Sequence, residues 1–189
     1  MNSKLQIISG KYKGRKLNLP PDARPTQNRA RIALFNMMES GIIESDSVIM
    51  IWDAFAGSGA FGLECLSRYH NARVLFTDVS STSIKTVRDN LSVLQVGNCA
   101  SANQIDALAV VGKYGPEADV VFIDPPYSEH DLGVAFVNKF AKVAKNGAIL
   151  IWEQDNTNYT VPDVSDWTIL RDKIYGRARF LILQKNALV

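Results

Sequence analysis

Apolar residues in this chain fall into short uninterrupted blocks, and the blocks recur. Val48-Ile49-Met50-Ile51-Trp52, Val74-Leu75-Phe76, Val120-Val121-Phe122-Ile123 and Ala148-Ile149-Leu150-Ile151-Trp152 alternate with longer, helix-like stretches. Blocks without polar interruption belong to strands buried on both faces, and strands alternating with helices mean a parallel sheet covered on both sides. The pattern predicts strands over 48–53, 74–78, a weaker one reaching Ile105-Asp106, then 120–123, 148–153, 168–175 and 179–184. Helices are expected over 60–68, from about 80 to 95, and over 132–143. Another should start near Thr26 or Asn28, either of which can cap it, with Ile32, Leu34, Phe35, Met37 and Met38 as its imperfect apolar stripe. The last two strands, joined by a short turn at Gly176, read as an antiparallel hairpin at one edge of the sheet. The expected fold is therefore α/β, with a seven-stranded, mostly parallel sheet.

Ahead of this pattern, Leu5-Gln6-Ile7-Ile8 and Lys16-Leu17-Asn18-Leu19 are strand-like and flank Ser9-Gly10-Lys11-Tyr12-Lys13-Gly14-Arg15. They read as an N-terminal β-hairpin closed by Pro20-Pro21. Residues 1–22 thus form an extension, and 23–189 one main domain, since 189 residues with 47% apolar content support one sizeable core. No run is long enough to span a bilayer and no signal-peptide core opens the chain, so a soluble cytoplasmic protein with no membrane association is expected. Cys65 and Cys99 lack metal or disulfide-scaffold spacing and read as reduced core thiols. His70 and His130 are isolated, and no metal is implied.

Charge is distributed unevenly along the chain. Up to Arg31 there are eight cations against Asp22 alone, a local +7 in a chain of formal net charge +2, which leaves −5 for the remainder. This asymmetry points to a polyanion met by the N-terminal part. Lys11, Lys13, Arg15 and Lys16 would hold phosphates and Tyr12 would stack on a base or sugar. Arg29 and Arg31 stand in the first turn of a helix, where cations oppose the helix dipole, so their placement suggests a ligand.

Candidate chemistry gathers at the carboxyl ends of the strands, where open α/β sheets bind ligands. Asp53, Asp78, Asp106 and Asp124 each close an expected strand. The tetrapeptide Asp124-Pro125-Pro126-Tyr127 follows four apolar residues, and its two prolines turn the backbone out of the sheet. An acid and carbonyls able to accept from an amine, beside an aromatic ring, make a clamp for a flat group; the plain alternative is a strand-to-loop turn with a tyrosine packed over it. The turn Ala54-Phe55-Ala56-Gly57-Ser58-Gly59 leads to Gly62 and formally matches a dinucleotide fingerprint with Asp78 as the ribose acid. Asp53 before that turn would repel a pyrophosphate but suits a cationic ligand end. Asp78 can accept from both ribose hydroxyls, and Asp106-Ala107 lies where an adenine would fall. S-adenosylmethionine fits better than NAD.

The stretch from Asp53 to Gly62 together with Asp124-Pro125-Pro126-Tyr127 resembles class I methyltransferases that modify exocyclic amines. With the segment from Ile8 to Arg15, Arg24-Pro25-Thr26 and Arg31-x-x-Leu34-Phe35-Asn36 added, the chain resembles over almost its full length the RsmD family of 16S ribosomal RNA guanine-N(2) methyltransferases. The resemblance implies a Rossmann-like class I fold and S-adenosylmethionine as cofactor. Arg24, Thr26, Asp53, Phe55, Ala56, Gly57, Gly59, Asp78, Asp106, Ala107 and Asp124 would hold the cofactor, and Asp124 to Tyr127 would be catalytic. It also implies a monomer acting on ribosomal RNA within a small-subunit assembly particle. Two departures stand out: Asp78 where glutamate is frequent, whose shorter side chain weakens the ribose contact, and Ser67-Arg68-Tyr69-His70-Asn71 where Ser-Arg-Gly-Ala is usual. An amine methyltransferase acting on DNA adenine or a protein glutamine, a non-catalytic RNA-binding assembly factor and an NAD-dependent oxidoreductase are the remaining classes.

Overall fold

Seven strands pair into one sheet in the computed structural model, which describes residues 5–21, 28–43, 49–163 and 165–187. The strands are β1 Ile49–Asp53, β2 Ala72–Asp78, β3 Ala100–Gln104, β4 Val120–Ile123, β5 Ile149–Asp155, β6 Trp167–Tyr175 and β7 Ala178–Lys185. Their order is β3-β2-β1-β4-β5-β7-β6, parallel from β3 to β5, with β7 antiparallel to both β5 and β6. The terminal hairpin thus sits at one edge, as its short turn requires. Chain order reverses between β1 and β4, and the crevice beyond their carboxyl ends is where such a sheet binds ligands.

Helices α1 Asn28–Glu39, α2 Ala60–Arg68, α3 Ser81–Leu94, α4 Ala107–Tyr114 and α5 His130–Ala141 cover the two faces. Alternation along each strand separates two cores. Ile51, Val74, Phe76, Phe122 and Ile151 face α1, α2 and α3, whereas Trp52, Leu75, Val121, Ile123 and Trp152 face α4 and α5. The α3 start is set by Ser80, whose hydroxyl accepts from Ser83 N at 3.2 Å. Among the described residues no helix is long and apolar enough to cross a membrane.

Several expectations need correction. The region after β3 contains α4, which the strand pattern missed; Asp106 caps it by accepting from Leu108 N at 2.9 Å, so this acid lies two residues beyond a strand that ends at Gln104. Ile32 is 40% exposed and stands outside the buried stripe of α1. Cys65 is buried, but Cys99 is an exposed residue in the turn before β3, not a core thiol. Arg24-Pro25-Thr26 and Val48 lie outside the described residues.

The N-terminal hairpin is reduced to one antiparallel bridge, Gln6 with Lys16, flanked by bonds from Ile7 N to Arg15 O and Leu17 N to Leu5 O. The reason is that its other donors turn to α2. Ile8 N and Ser9 N donate to the Glu64 carboxylate at 2.8 and 2.9 Å, Tyr12 N to the Ser67 hydroxyl at 2.9 Å and Lys11 N to the Ser67 carbonyl at 2.8 Å. Leu5, Ile7 and Leu17 join the core on the α2 side. A Cβ on Gly10, which has φ +81°, would fall 2.0 Å from the Ser67 carbonyl oxygen, so this close docking needs glycine there.

Candidate active site

The ends of β1, β4 and β5 lie side by side. Asp53 pairs with Phe122 and Ile123 with Trp152, so Asp124 and Glu153 leave adjacent strands next to one another. After Asp53 the chain turns sharply: Ala56 N donates to Thr77 O at 3.0 Å, and Gly59, left-handed at φ 76°, opens α2. Asp53 is 1% exposed and accepts from Gly62 N at 3.0 Å. Asp78 accepts from Gly57 N and Ser80 N, each at 2.8 Å, one bond per oxygen, which ties the end of β2 to the glycine turn. Gly57 itself adopts φ +51° with open space around its missing Cβ.

These ends surround a cleft of about 850 Å³. Asp53, Phe55, Ala56, Gly57, Asp78, Asp106 and Ala107 line it together with Asp124, Pro125, Pro126 and Tyr127. Gly59 is not in the lining; a Cβ there would meet Val87, Leu63 and Phe76 at 3.1 to 3.3 Å, so it serves packing. The exposed cations Lys11, Lys13, Arg15 and Lys16 stand on the docked arm, outside the lining, with the Lys11 ammonium 5.2 Å from the Tyr12 ring centre. Arg29 is exposed at the start of α1. Arg31, grouped with these cations from its charge, behaves differently. It is 3% exposed, donates to the Gln6 carbonyl and lines the cleft, so burial removes it from the open face of the arm.

The Asp-Pro-Pro-Tyr segment leaves the sheet and places Tyr127 in a short 3-10 turn, Tyr127–Glu129. Its hydroxyl donates to Glu153 Oε1 at 3.2 Å. The Arg177 guanidinium, from the β6–β7 turn, stands 5.3 Å from the ring centre. Arg177 is held in turn by Asp155, with Nε to Oδ2 at 2.7 Å, and the Thr157 N–H, followed by that arginine, keeps the Asp155 carboxyl down at about 2. The ring is thus fixed at its hydroxyl and on one face. Glu153, Arg177 and Phe180 were not among the sequence candidates; Glu153 had a signal, since it closes the expected strand 148–153 just as the chosen aspartates close theirs.

Electrostatics sets the clamp end apart. Burial, and then the neighbouring Asp78, push the Asp53 carboxyl up to about 8 against the Gly62 bond that opposes it. Asp124 opens onto the cleft but is crowded elsewhere, and burial, Glu153 and Asp53 together hold it well above the usual carboxylate range. Burial raises Glu153 to about 7. The crowding that suppresses ionisation of these acids is relieved by a ligand with cationic groups and worsened by a pyrophosphate, so the residues present fit S-adenosylmethionine.

Residues 5–184 match the family described as Conserved hypothetical protein 95. The chain is 32% identical to Ribosomal RNA small subunit methyltransferase D of Escherichia coli, over 98% of this chain and 92% of that protein. The chain belongs to this family, the RsmD family. It is also 29% identical to Putative rRNA methyltransferase YlbH of Bacillus subtilis, over 96% of this chain and all of that protein (100%). Among solved structures, the Putative methyltransferase yhhF from Escherichia coli superposes with a TM-score of 0.82 at 30% identity, covering 98% of this chain and 99% of that one. An RNA methyltransferase from Salinibacter ruber in complex with S-adenosyl-L-homocysteine shares the fold, with a TM-score of 0.64 at 16% identity over 88% of this chain and 96% of that one. The family fold is thus the Rossmann-like methyltransferase fold expected from the motifs.

Proposed function

We propose that this protein transfers a methyl group from S-adenosylmethionine to the exocyclic N2 amine of a guanine in 16S small-subunit ribosomal RNA. The observation that carries the reading is the Asp124-Pro125-Pro126-Tyr127 clamp opening into an acid-lined cleft beside the β1 turn, in a family whose Escherichia coli member is named for small-subunit ribosomal RNA methylation. When bound, S-adenosylmethionine supplies a methyl group on a sulfonium, and Asp53 and Asp78 are the acids placed to meet the cationic and ribose portions of such a ligand. An aromatic amine is a poor nucleophile because its lone pair is delocalised into the ring. The Asp124 carboxylate and the Pro125 carbonyl, accepting its hydrogens, draw the nitrogen toward a tetrahedral geometry, and Asp124 then takes a proton. Burial, Glu153 and Asp53 raise its proton affinity, which favours the state after it has taken the proton, while a cationic ligand beside it offsets the rise and keeps the carboxylate form that meets the amine. Tyr127, fixed by Glu153 and Arg177, offers a ring face on which the base stacks. A paired guanine hides its N2 amine, so the nucleotide reaches the clamp flipped or from a loop.

In this reading the docked arm grips the RNA backbone, and the enzyme works as a cytoplasmic monomer on small-subunit RNA during assembly. Neutralising Lys11, Lys13, Arg15 and Lys16 together lowers RNA affinity at least about 10-fold and flattens its salt dependence, as expected when phosphate contacts are lost. Filter binding across a salt series measures both, and an unchanged slope contradicts the assignment. The reaction itself is tested by methyl transfer to deproteinised 16S RNA, partly assembled small subunits and duplex DNA, with the methylated nucleoside identified by mass.

A further inference from the structure

Glu153 is the acid that the clamp chemistry leaves unused. It is 6% exposed, yet among the described residues it forms no ion pair. A buried acid without a cation destabilises a fold unless something else uses it. Its Oε1 accepts the Tyr127 hydroxyl at 3.2 Å, which fixes the carboxyl, and no other hydrogen bond to it is present among the described residues. The residue lines both the main cleft and the small hollow beside Tyr127, and among the described residues no hydrogen bond occupies its second oxygen. Because Ile123 pairs with Trp152, the carboxyls of Asp124 and Glu153 emerge from neighbouring strands.

Two adjacent acceptors match one purine edge in particular. Guanine presents the N2 amine and the N1–H side by side as donors, whereas adenine and 2-aminopurine present an amine beside an unprotonated N1 lone pair. We infer that Glu153 reads the N1–H of the target guanine while Asp124 holds its N2 amine, making Glu153 the residue that selects guanine. The assignment rests on the guanine-N2 reading above and extends it to the choice of base. A carboxylate facing a lone pair loses a hydrogen bond and gains repulsion, the kind of mismatch that a polar site uses to reject an analogue. Tyr127, donating from the other side, and Asp124 are the groups that face it from neighbouring elements.

The test uses small-subunit RNA ligated to carry either guanine or 2-aminopurine at the methylated position, assayed at pH 8, above the raised Glu153 range of about 7. Both bases carry the reacting 2-amine. The wild type favours guanine by at least about 100-fold in kcat/KM. Glu153→Ala lowers the guanine rate far more than the 2-aminopurine rate, so the preference falls below about 10-fold. Glu153→Gln, which keeps the shape and can turn its amide N–H toward an unprotonated N1, also lowers the preference and guards against misfolding of the alanine variant. Tyr127→Phe keeps the stacking ring but frees the Glu153 carboxyl, so it lowers the preference by less than Glu153→Ala does. If Glu153→Ala and Glu153→Gln slow both substrates equally, Glu153 merely supports Tyr127 and the assignment falls. A wild type that leaves the guanine substrate unmethylated overturns the guanine-N2 reading itself, a separate outcome read on the unsubstituted enzyme.

Discussion

Replacing Asp124 with alanine lowers methyl transfer by about 10³-fold or more while adenosylhomocysteine still binds. The acid sits where β4 leaves the sheet, stiffened by Pro125 and Pro126, and it is the one carboxylate within the motif that can both hold the amine and accept its proton. Asp124→Asn separates the two roles: the amide keeps an acceptor but not the proton affinity, so an intermediate loss is expected. Stability should move the other way. Asp124 is raised by burial, Glu153 and Asp53, so its protonated form favours folding below the ordinary carboxylate pKa, and that contribution disappears as pH rises through the elevated folded value. Once pH exceeds that elevated value, the variant should therefore melt no lower than wild type. A large fall in melting temperature would mean that Asp124 is a structural acid, and full retention of turnover would remove it from the reaction.

Glu64→Ala has the largest expected effect on folding. Glu64 is 0% exposed and accepts from Ile8 N at 2.8 Å, Ser9 N at 2.9 Å and Arg68 Nε at 2.8 Å. Arg31 lies close enough to feel its charge. Removing the carboxylate strands two backbone donors and loosens the cations around α2, a class of change that costs about 3–5 kcal/mol. For a chain of this size that is a fall of about 10 °C in melting temperature, followed by circular dichroism. RNA affinity should drop as well, although no cation has been removed, because the arm loses its dock. Unchanged melting would show that the arm is held by Leu5, Ile7 and Leu17 alone.

The clamp, the glycine turn and the acids Asp53, Asp78 and Asp124 at the ends of β1, β2 and β4 were legible because each is a local signal. A buried run stops at two prolines or a glycine, and the next polar residue must fall at the sheet edge. What escaped depends on contacts between distant segments. Glu153 ends a strand visibly, but its nearness to Asp124 follows from the register of β4 against β5. Arg31 carried the same charge as the arm cations, yet its burial is set by the arm folding back across α2, with Gln6 accepting from its guanidinium. Arg177 reaches Tyr127 only because β7 inserts between β5 and β6. Helix α4 is the opposite case, since Asp106 followed by an apolar stretch was a capping signal in the sequence itself.

The most direct measurement is the mass identification of the nucleoside produced when the full-length protein and labelled S-adenosylmethionine meet 16S RNA and small-subunit assembly particles. N2-methylguanosine at a single position is the expected product. Methyl label recovered in adenosine, in duplex DNA or in protein, with no methylated guanosine, would contradict it.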